Sequence, residues 1–534
     1  MRTRFYLILF WGLLAQGIMA QRVIPRDSLI SDLRQFLKYV EETHPDPYSG
    51  FGGKVFFHRE AYDLEKRLSP DGNTAEEFSR LLTVFLSSIQ DGHTHLQMSG
   101  SPEKNLYIPV KGRVIPEGIV ISALPDSLKN YLGSRITGIN GVSVDELLEK
   151  TGQISVCENL YGKYLTLAGN MSSVDYIERL TGKSADRFIL NLITPAGNKA
   201  DLELKPALGN VLAGADLVSV PEWEKTKGME YMDYRFLDDA RQVMYFRLQS
   251  VMAREAFLGI KMMGWPGLEN QLGNYYRWTL KKEMPQNIDT AIAEIPALAG
   301  VFRNMLDEMK KQGSPYLVID LRGNGGGFTP ITLPTLYQLY GDKYLHADMN
   351  VRFYKMLSPL YLQKIDMTLE AYNQERGTSY EFGDYEFYDE GPDNSPVEQL
   401  RENFVQQSMG DAPEYIKDLN GKPVYAPEQI FVITDARTFS AAFHYAFYLW
   451  KMGATVIGVP CSQSPNAFME MTPFRLEHTG IDGSISNSVQ YFLPPSDKRA
   501  RVFYPDWIPG YSDYQKYGFD KESEIRYLLD KLTK

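Results

Sequence analysis

Two stretches of the chain share one hydropathy pattern although more than a hundred residues separate them. Tyr316–Phe328 reads YLVIDLRGNGGGF and Ile430–Gly453 reads IFVITDARTFSAAFHYAFYLWKMG. In each, a short β-branched apolar run meets an abrupt polar or glycine-rich stop, the pattern of a strand buried on both faces of a parallel sheet. The pattern predicts that both strands deliver their last residues to one rim of that sheet. From Asp27 to about Leu96 the periodicity is helical instead, with Leu29, Leu33, Phe36, Leu37 and Val40 on one stripe and a second stripe from Phe78 to Ile89. The intervening HPDPYSGFGG is a loop by its Pro and Gly content. The helical pattern gives way to alternation within SIQDGHTHL, Ser88–Leu96.

Between about Leu106 and Pro206 the chain reads as short strands and turns: YIPVKGRVIPEGIVIS, SRITGINGVSVDELLEK, and a closing pair FILNLIT and KADLELK around Pro195-Ala196-Gly197-Asn198. Strand, Asn140-Gly141 turn, strand and short helix predict a small barrel whose open edge could add a peptide strand. The expected fold class is therefore α/β and multidomain: an N-terminal helical cap over 21–98, a barrel over 99–210, and an α/β core over 211–534 with a mostly parallel sheet. Within the core, about 345–425 reads as an insertion. Between Glu370 and Glu414 it carries twelve acidic residues against Arg376 and Arg401, as either a solvated excursion or a wall over a cleft.

Composition narrows the setting. Arg2 and Arg4, an apolar stretch from Phe5 to Leu14 and a small residue at Ala20 have the form of an export signal over 1–20, too short to span a bilayer. Its removal would take the formal charge from −11 to −13, because two arginines leave with it. The remaining length corresponds to about three domains at about 150 residues each. An acidic chain without a basic cluster is a poor nucleic-acid binder, and neither a stable membrane insertion nor a lipid anchor is expected. Cys157 and Cys461 could pair after export, but two separate buried thiols are the simpler expectation.

The chemistry concentrates where the two buried strands end. Ser440 sits where the second strand turns into a helix, and Gly325, Gly326 and Gly327 leave backbone N–H groups unshielded at the end of the first. That is the layout of a serine nucleophile opposite an oxyanion site, with the N–H groups of Ala441, Gly325 and Gly326 as donors. The bland alternative makes Ser440 a helix cap, a role in which Thr438 also competes. A neutral serine needs a base. His444, four residues on, shares a helix face with Ser440, although it could equally be packed among Phe443, Phe447 and Trp450. His93, in the polar run Asp91-Gly92-His93-Thr94-His95, is the other candidate. Lys451 lies eleven residues away, about 16 Å along a helix, and cannot serve. His93 and His95, two apart, could instead share a strand face as metal ligands, but only Asp91 accompanies them. No metal and no organic cofactor are expected.

In their order along the chain, Asp-Gly-His-Thr after a helical cap, the strand-rich middle, IDLRGNGGG, TFSAAF and ATVIGVP resemble the tail-specific or C-terminal-processing serine peptidases over about residues 27–510. The resemblance implies a PDZ-like middle domain that grips a polypeptide C-terminus and a crotonase/Clp-like core. One subgroup uses a lysine about 25 residues after the serine, where this chain has Pro465. The other, similar to the tricorn core protease, takes a histidine from the cap, which implies Ser440 as nucleophile and His93 as base. Its accompanying groups are missing here. Gly92 stands where a serine precedes the histidine, and SDKRARVFY before Pro505-Asp506 contains no glutamate. Either Asp91 or a carboxylate such as Glu470 or Asp482 orients His93, or backbone alone holds the imidazole. Phe443 stands where the lysine subgroup often has glutamate.

The expected function is thus that of a secreted or periplasmic serine endopeptidase cutting polypeptides through an acyl-enzyme. The alternatives are a catalytically silent binder of peptides or apolar ligands on the same fold, and acyl chemistry on small thioesters.

Overall fold

The computed structural model describes residues 22–97, 105–184, 186–209, 217–264, 267–389 and 394–533; the segment read as an export signal lies outside them. The architecture is mixed α/β, with several sheets and many helices. Among the described residues no helix is long and apolar enough to cross a membrane.

The cap consists of helices Arg26–Thr43, Lys54–Arg67 and Ala75–Ser87. The third opens on a capping box, in which the Thr74 hydroxyl accepts the Glu77 N–H and the Glu77 carboxylate accepts the Thr74 N–H, satisfying two donors that a helix start leaves orphaned. Leu29, Leu33, Phe36 and Val40 pack with Phe57, Leu64, Phe78, Leu82 and Phe85, and the same core takes in Phe474, Leu476 and Ile485 from the far end of the chain. A buried carboxylate fixes that union. Asp32 accepts the N–H groups of His478 (2.9 Å) and Thr479 (2.8 Å), so the first helix ties down the turn between strands Asn466–Arg475 and Asp482–Tyr491.

The middle region is an antiparallel sheet in the order Lys199–Leu204, Phe188–Ile193, Arg135–Ile139, Gly118–Pro125, with Lys111–Ile115 also paired to Gly118–Pro125. Asn140 and Gly141 both adopt positive φ, 52° and 77°, the conformation a two-residue I′ hairpin requires. Helices Val144–Ile154, Leu160–Asn170 and Val174–Thr181 follow. Each starts on a side-chain cap, from Ser143, Asn159 and Ser173 respectively.

The central sheet runs Met232–Phe236, Val243–Leu248, Tyr316–Asp320, Gln429–Thr434, Thr455–Gly458. Only its first pair is antiparallel. Helices Leu298–Gln312 and Ala441–Lys451 cover one face and the terminal helix Ser523–Leu532 the other. Tyr316–Asp320 and Gln429–Thr434 are neighbours, with Asp320 opposite Ile433, so the glycine run and the serine turn leave the same rim.

A second, antiparallel sheet was not legible in the sequence pattern. Its order is Tyr385–Asp389, Arg352–Met356, Asp482–Tyr491, Asn466–Arg475, and the short strand His95–Leu96 pairs with Asp482–Tyr491. The insertion therefore supplies two strands to this sheet, one of them, Tyr385–Asp389, from the acidic stretch, and the Tyr385 hydroxyl donates to the Pro45 carbonyl of the cap (2.6 Å).

A buried charge network joins the middle sheet to the central sheet and the terminal helix. Arg322 pairs with Asp320 (2.7 Å) and Glu524 (2.6 Å), and Arg113 of the middle sheet meets the same Glu524 (2.7 Å). Tyr245 and Tyr514 donate to Asp320 and Glu524. Cutting a buried pair strands the remaining charge and costs on the order of 3–5 kcal/mol. Arg322→Ala is accordingly expected to lower the urea-denaturation midpoint by that order of free energy, whereas an unchanged midpoint would mean the network is not structural.

Candidate active site

Ser440 occupies a strained turn between Gln429–Thr434 and Ala441–Lys451. Its φ of 51° and ψ of −127° lie where a non-glycine residue costs on the order of 1–3 kcal/mol. The surroundings enforce it. Asp435 accepts the N–H groups of Gly323, Arg437 and Thr438. Thr438 accepts the Asp435 N–H and donates to the Leu321 carbonyl (2.9 Å), which uses its hydroxyl away from the helix start. Phe439 N–H donates to the Asn324 carbonyl (3.0 Å), and Ser440 N–H donates to the Gln463 side chain. Ser440 makes no side-chain cap bond, and among the described residues its hydroxyl has no hydrogen-bond partner. A strand, a strained serine and a helix in succession present a hydroxyl at the tip of a sharp turn.

The glycine run packs directly on that turn. A Cβ on Gly326 would lie 2.7 Å from Ser440 Cβ and 2.9 Å from the Ala441 nitrogen, and Gly326 has φ +105°. Gly326 N–H is engaged by the Asn324 side-chain oxygen (2.9 Å), so this expected oxyanion donor is occupied in this conformation. Gly325 and Ala441 N–H groups have no partner among the described residues, and a Cβ on Gly325 would meet open space.

His93 reaches the turn from the cap. Its ring lies over Phe439, the residue before Ser440, with centroids 4.8 Å apart and planes 30° apart. Asp91 shapes the loop by accepting the His93 N–H (2.9 Å) and the Thr94 hydroxyl. Thr94 in turn accepts the Ser486 N–H (3.0 Å), tying the loop to strand Asp482–Tyr491. His44 Nδ1 accepts the Asp46 N–H, leaving the ring proton on Nε2, 3.3 Å from Asp91. Burial pushes the His93 imidazole below its ordinary value, against the opposing pull of Asp91 and the Phe468 carbonyl. The ring is therefore neutral near pH 7 and able to take a proton. Its buried Nδ1 has no hydrogen-bond partner among the described residues and lies 4.0 Å from the buried Glu158 carboxylate.

A cavity of about 280 Å³ opens between these groups, lined by Gly92, Cys157, Glu158, Leu165, Gly325 and Phe439. A wider cleft of about 540 Å³ shares Leu165, Gly323 and Arg437 with it and runs toward Lys111, Arg113 and Lys521.

Residues 289–499 match the family model described as Peptidase family S41. Over that segment the chain is similar to that peptidase family. Solved structures add a fold that extends beyond the matched segment. A structure of mature CPAF complexed with lactacystin is 13% identical, with 95% of this chain and 98% of that one covered at a TM-score of 0.53. A CPAF s499a mutant is 14% identical, with 93% and 96% covered at 0.55. At such identities the likeness concerns the fold. No curated protein sequence matches the chain.

Both ring nitrogens of His444 meet groups other than Ser440. Thr329 lies 3.0 Å from its Nδ1 and the Gln490 side-chain oxygen 2.8 Å from its Nε2. Because the Gln490 amide nitrogen donates to the Pro465 carbonyl, Gln490 accepts from His444, and Thr329 donates to it. The packed reading holds. Glu470 is taken by Lys355 and Ser488, and Asp482 by Arg475, so neither reaches His93. His95 is exposed, with its Nδ1 3.2 Å from the His93 carbonyl, and the pair does not form a shared ligand face. One ligand atom each from Asp91, His93 and Glu158 lies within 4.8 Å of the others, but both Asp91 oxygens already hold protein donors. Cys157 and Cys461 are free buried thiols. Gly92 has its own reason here, since a Cβ would lie 2.8 Å from both Glu158 and the Phe439 ring.

Sequence reasoning missed Glu158, His44, Asn324 and Gln463. Each lies outside a recognisable motif or acts through the backbone, and only folding gives it a partner.

Two outcomes follow from this geometry. Gly326→Ala should remain folded yet lose most serine reactivity, measured as fluorophosphonate labelling, because the added carbon pushes on Ser440; unchanged labelling would contradict the close approach. Burial holds His444 at about 4, below its ordinary 6.5. The unfolded chain therefore binds a proton that the folded chain refuses between those values, and stability falls as pH drops through that window. Between pH 7 and pH 5 this contributes about 2 kcal/mol. His444→Gln should lessen the acid loss of stability by that amount in urea denaturation, and an identical pH dependence would refute it.

Proposed function

We propose that the chain is an exported serine endopeptidase that cuts polypeptides through an acyl-enzyme. The observation that carries this reading is the strained Ser440, its hydroxyl unengaged, packed on Gly326 while the buried neutral His93 stacks on the adjacent Phe439. A silent binding protein would have no use for strain at that residue.

In the proposed reaction His93 takes the Ser440 proton as the oxygen attacks the peptide carbonyl. The N–H groups of Gly325 and Ala441 then receive the developing oxyanion, the latter aided by the positive end of its helix. His93 returns the proton to the leaving amine, and water repeats the sequence to release the acid. Gly326, with its N–H held by Asn324, serves by allowing the approach rather than by donating. Asp91 holds the backbone of His93 in place. The 540 Å³ cleft beside the middle sheet, taken as PDZ-like, would seat the substrate's C-terminal end near Lys111, Arg437 and Lys521.

Hydrolysis of an unstructured polypeptide tests this. Ser440→Ala and His93→Ala are each expected to reduce kcat/KM by at least about a thousandfold. Turnover by Ser440→Ala at the wild-type rate would overturn the assignment.

A further inference from the structure

We propose that Glu158 is the positioning residue for His93, accepting its Nδ1–H so that the other ring nitrogen is presented to Ser440. This rests on the peptidase reading above and deepens it.

The argument begins with an unsatisfied atom. His93 Nδ1 is buried and has no hydrogen-bond partner among the described residues, and a buried polar atom left unpaired costs on the order of 1–3 kcal/mol. Glu158 Oε1 faces it at 4.0 Å, and the Glu158 side chain is only 3% exposed. The carboxylate is itself held in place. Oε2 accepts the Ser464 N–H (2.7 Å) and Oε1 the Gly92 N–H (3.3 Å). Gly92 adjoins His93, and Ser464 adjoins Gln463, which receives the Ser440 N–H. Glu158 thus bridges the loop that carries the base and the loop that holds the nucleophile.

Every rival is committed elsewhere. Asp91 is taken up by the His93 backbone, Thr94 and His44; Glu470 by Lys355; Asp482 by Arg475. The separation needs to shorten by about 1 Å to become a hydrogen bond. Catalytic contacts commonly tighten in this way when substrate binds. Gly92 and Glu158 both line the 280 Å³ cavity, so a substrate side chain filling it would press on both. Burial raises the Glu158 carboxyl well above its ordinary value, while Arg501 and its two N–H donors oppose that. An imidazolium forming beside it would draw it back to the charged state. The arrangement also takes the orienting carboxylate from just beyond helix Val144–Ile154, so the middle region would contribute to the reaction itself as well as to holding substrate.

The test uses the full chain with Glu158→Gln and Glu158→Ala. In Glu158→Gln, kcat should fall at least about a hundredfold with KM within about threefold. Loss of the negative group should shift the acid limb of the kcat/KM profile to lower pH. The other titratable groups around His93, namely Asp91, His95 and His444, remain in place. In Glu158→Ala, added formate should restore part of the rate. Independently of turnover, ¹³C-histidine NMR should show the His93 pKa lowered in Glu158→Gln. Wild-type kcat in Glu158→Gln under conditions where Ser440→Ala is inactive would overturn the proposal, as would losses that track thermal stability without formate rescue. If the wild type cleaves nothing, the peptidase reading fails by itself, and an unshifted His93 titration would separately refute the Glu158 contact.

Discussion

A serine held in the left-handed region of backbone space, with a glycine packed against its side chain, is the constraint from which the site follows. No L-residue adopts that conformation without cost, and the molecule supplies the hold from several directions. Asp435 gathers three N–H groups from both rim loops, Thr438 reaches back to Leu321, and Asn324 takes the N–H groups of Phe439 and Gly326. Asn324 is the hinge of this arrangement: its carbonyl fixes the residue before the serine, while its side chain fixes the glycine beside it. The parallel register of the two strands makes the meeting possible, because both chains leave the sheet at the same height.

The second requirement is that a loop from the start of the chain stand beside this turn. Three polar contacts accomplish it from buried positions. Asp32 caps the turn between the two long strands, Thr94 binds Ser486 on one of them, and Asp91 organises the loop between. Strand pairing at His95–Leu96 completes the attachment. The cap is therefore an integral part of the antiparallel sheet, with a shared apolar core, and its docking decides where the imidazole lies.

Much of this was legible in the chain. The apolar runs before GNGGG and before the serine turn are continuous, which marks doubly buried strands, and the Asn140-Gly141 hairpin announced its own turn type. The serine turn and His93 drew notice because polar residues cluster there, although Asp91 and Thr94 of that cluster turn out to hold the loop in place. The antiparallel sheet was not visible. Strand Asn466–Arg475 mixes buried and exposed positions without strict alternation, and its partner Asp482–Tyr491 is rich in buried serine, asparagine and glutamine, so a hydropathy reading passes over both. The acidic stretch hid the strand Tyr385–Asp389, whose five residues include Glu386 and Asp389 and are mostly exposed. Glu158 was illegible for a different reason: a lone glutamate beside a short helix has no signature, and its meaning comes from two backbone N–H groups and an imidazole more than sixty residues away.

The central claim is that a neutral, buried His93 activates Ser440. It is tested most directly by the pH dependence of the rate at which a fluorophosphonate labels the protein, with the adduct located by peptide mass spectrometry. The account predicts a single adduct on Ser440 whose rate rises through a midpoint below the ordinary histidine value of about 6.5 and then levels off. A rate independent of pH across that range, or an adduct on another residue, would contradict it.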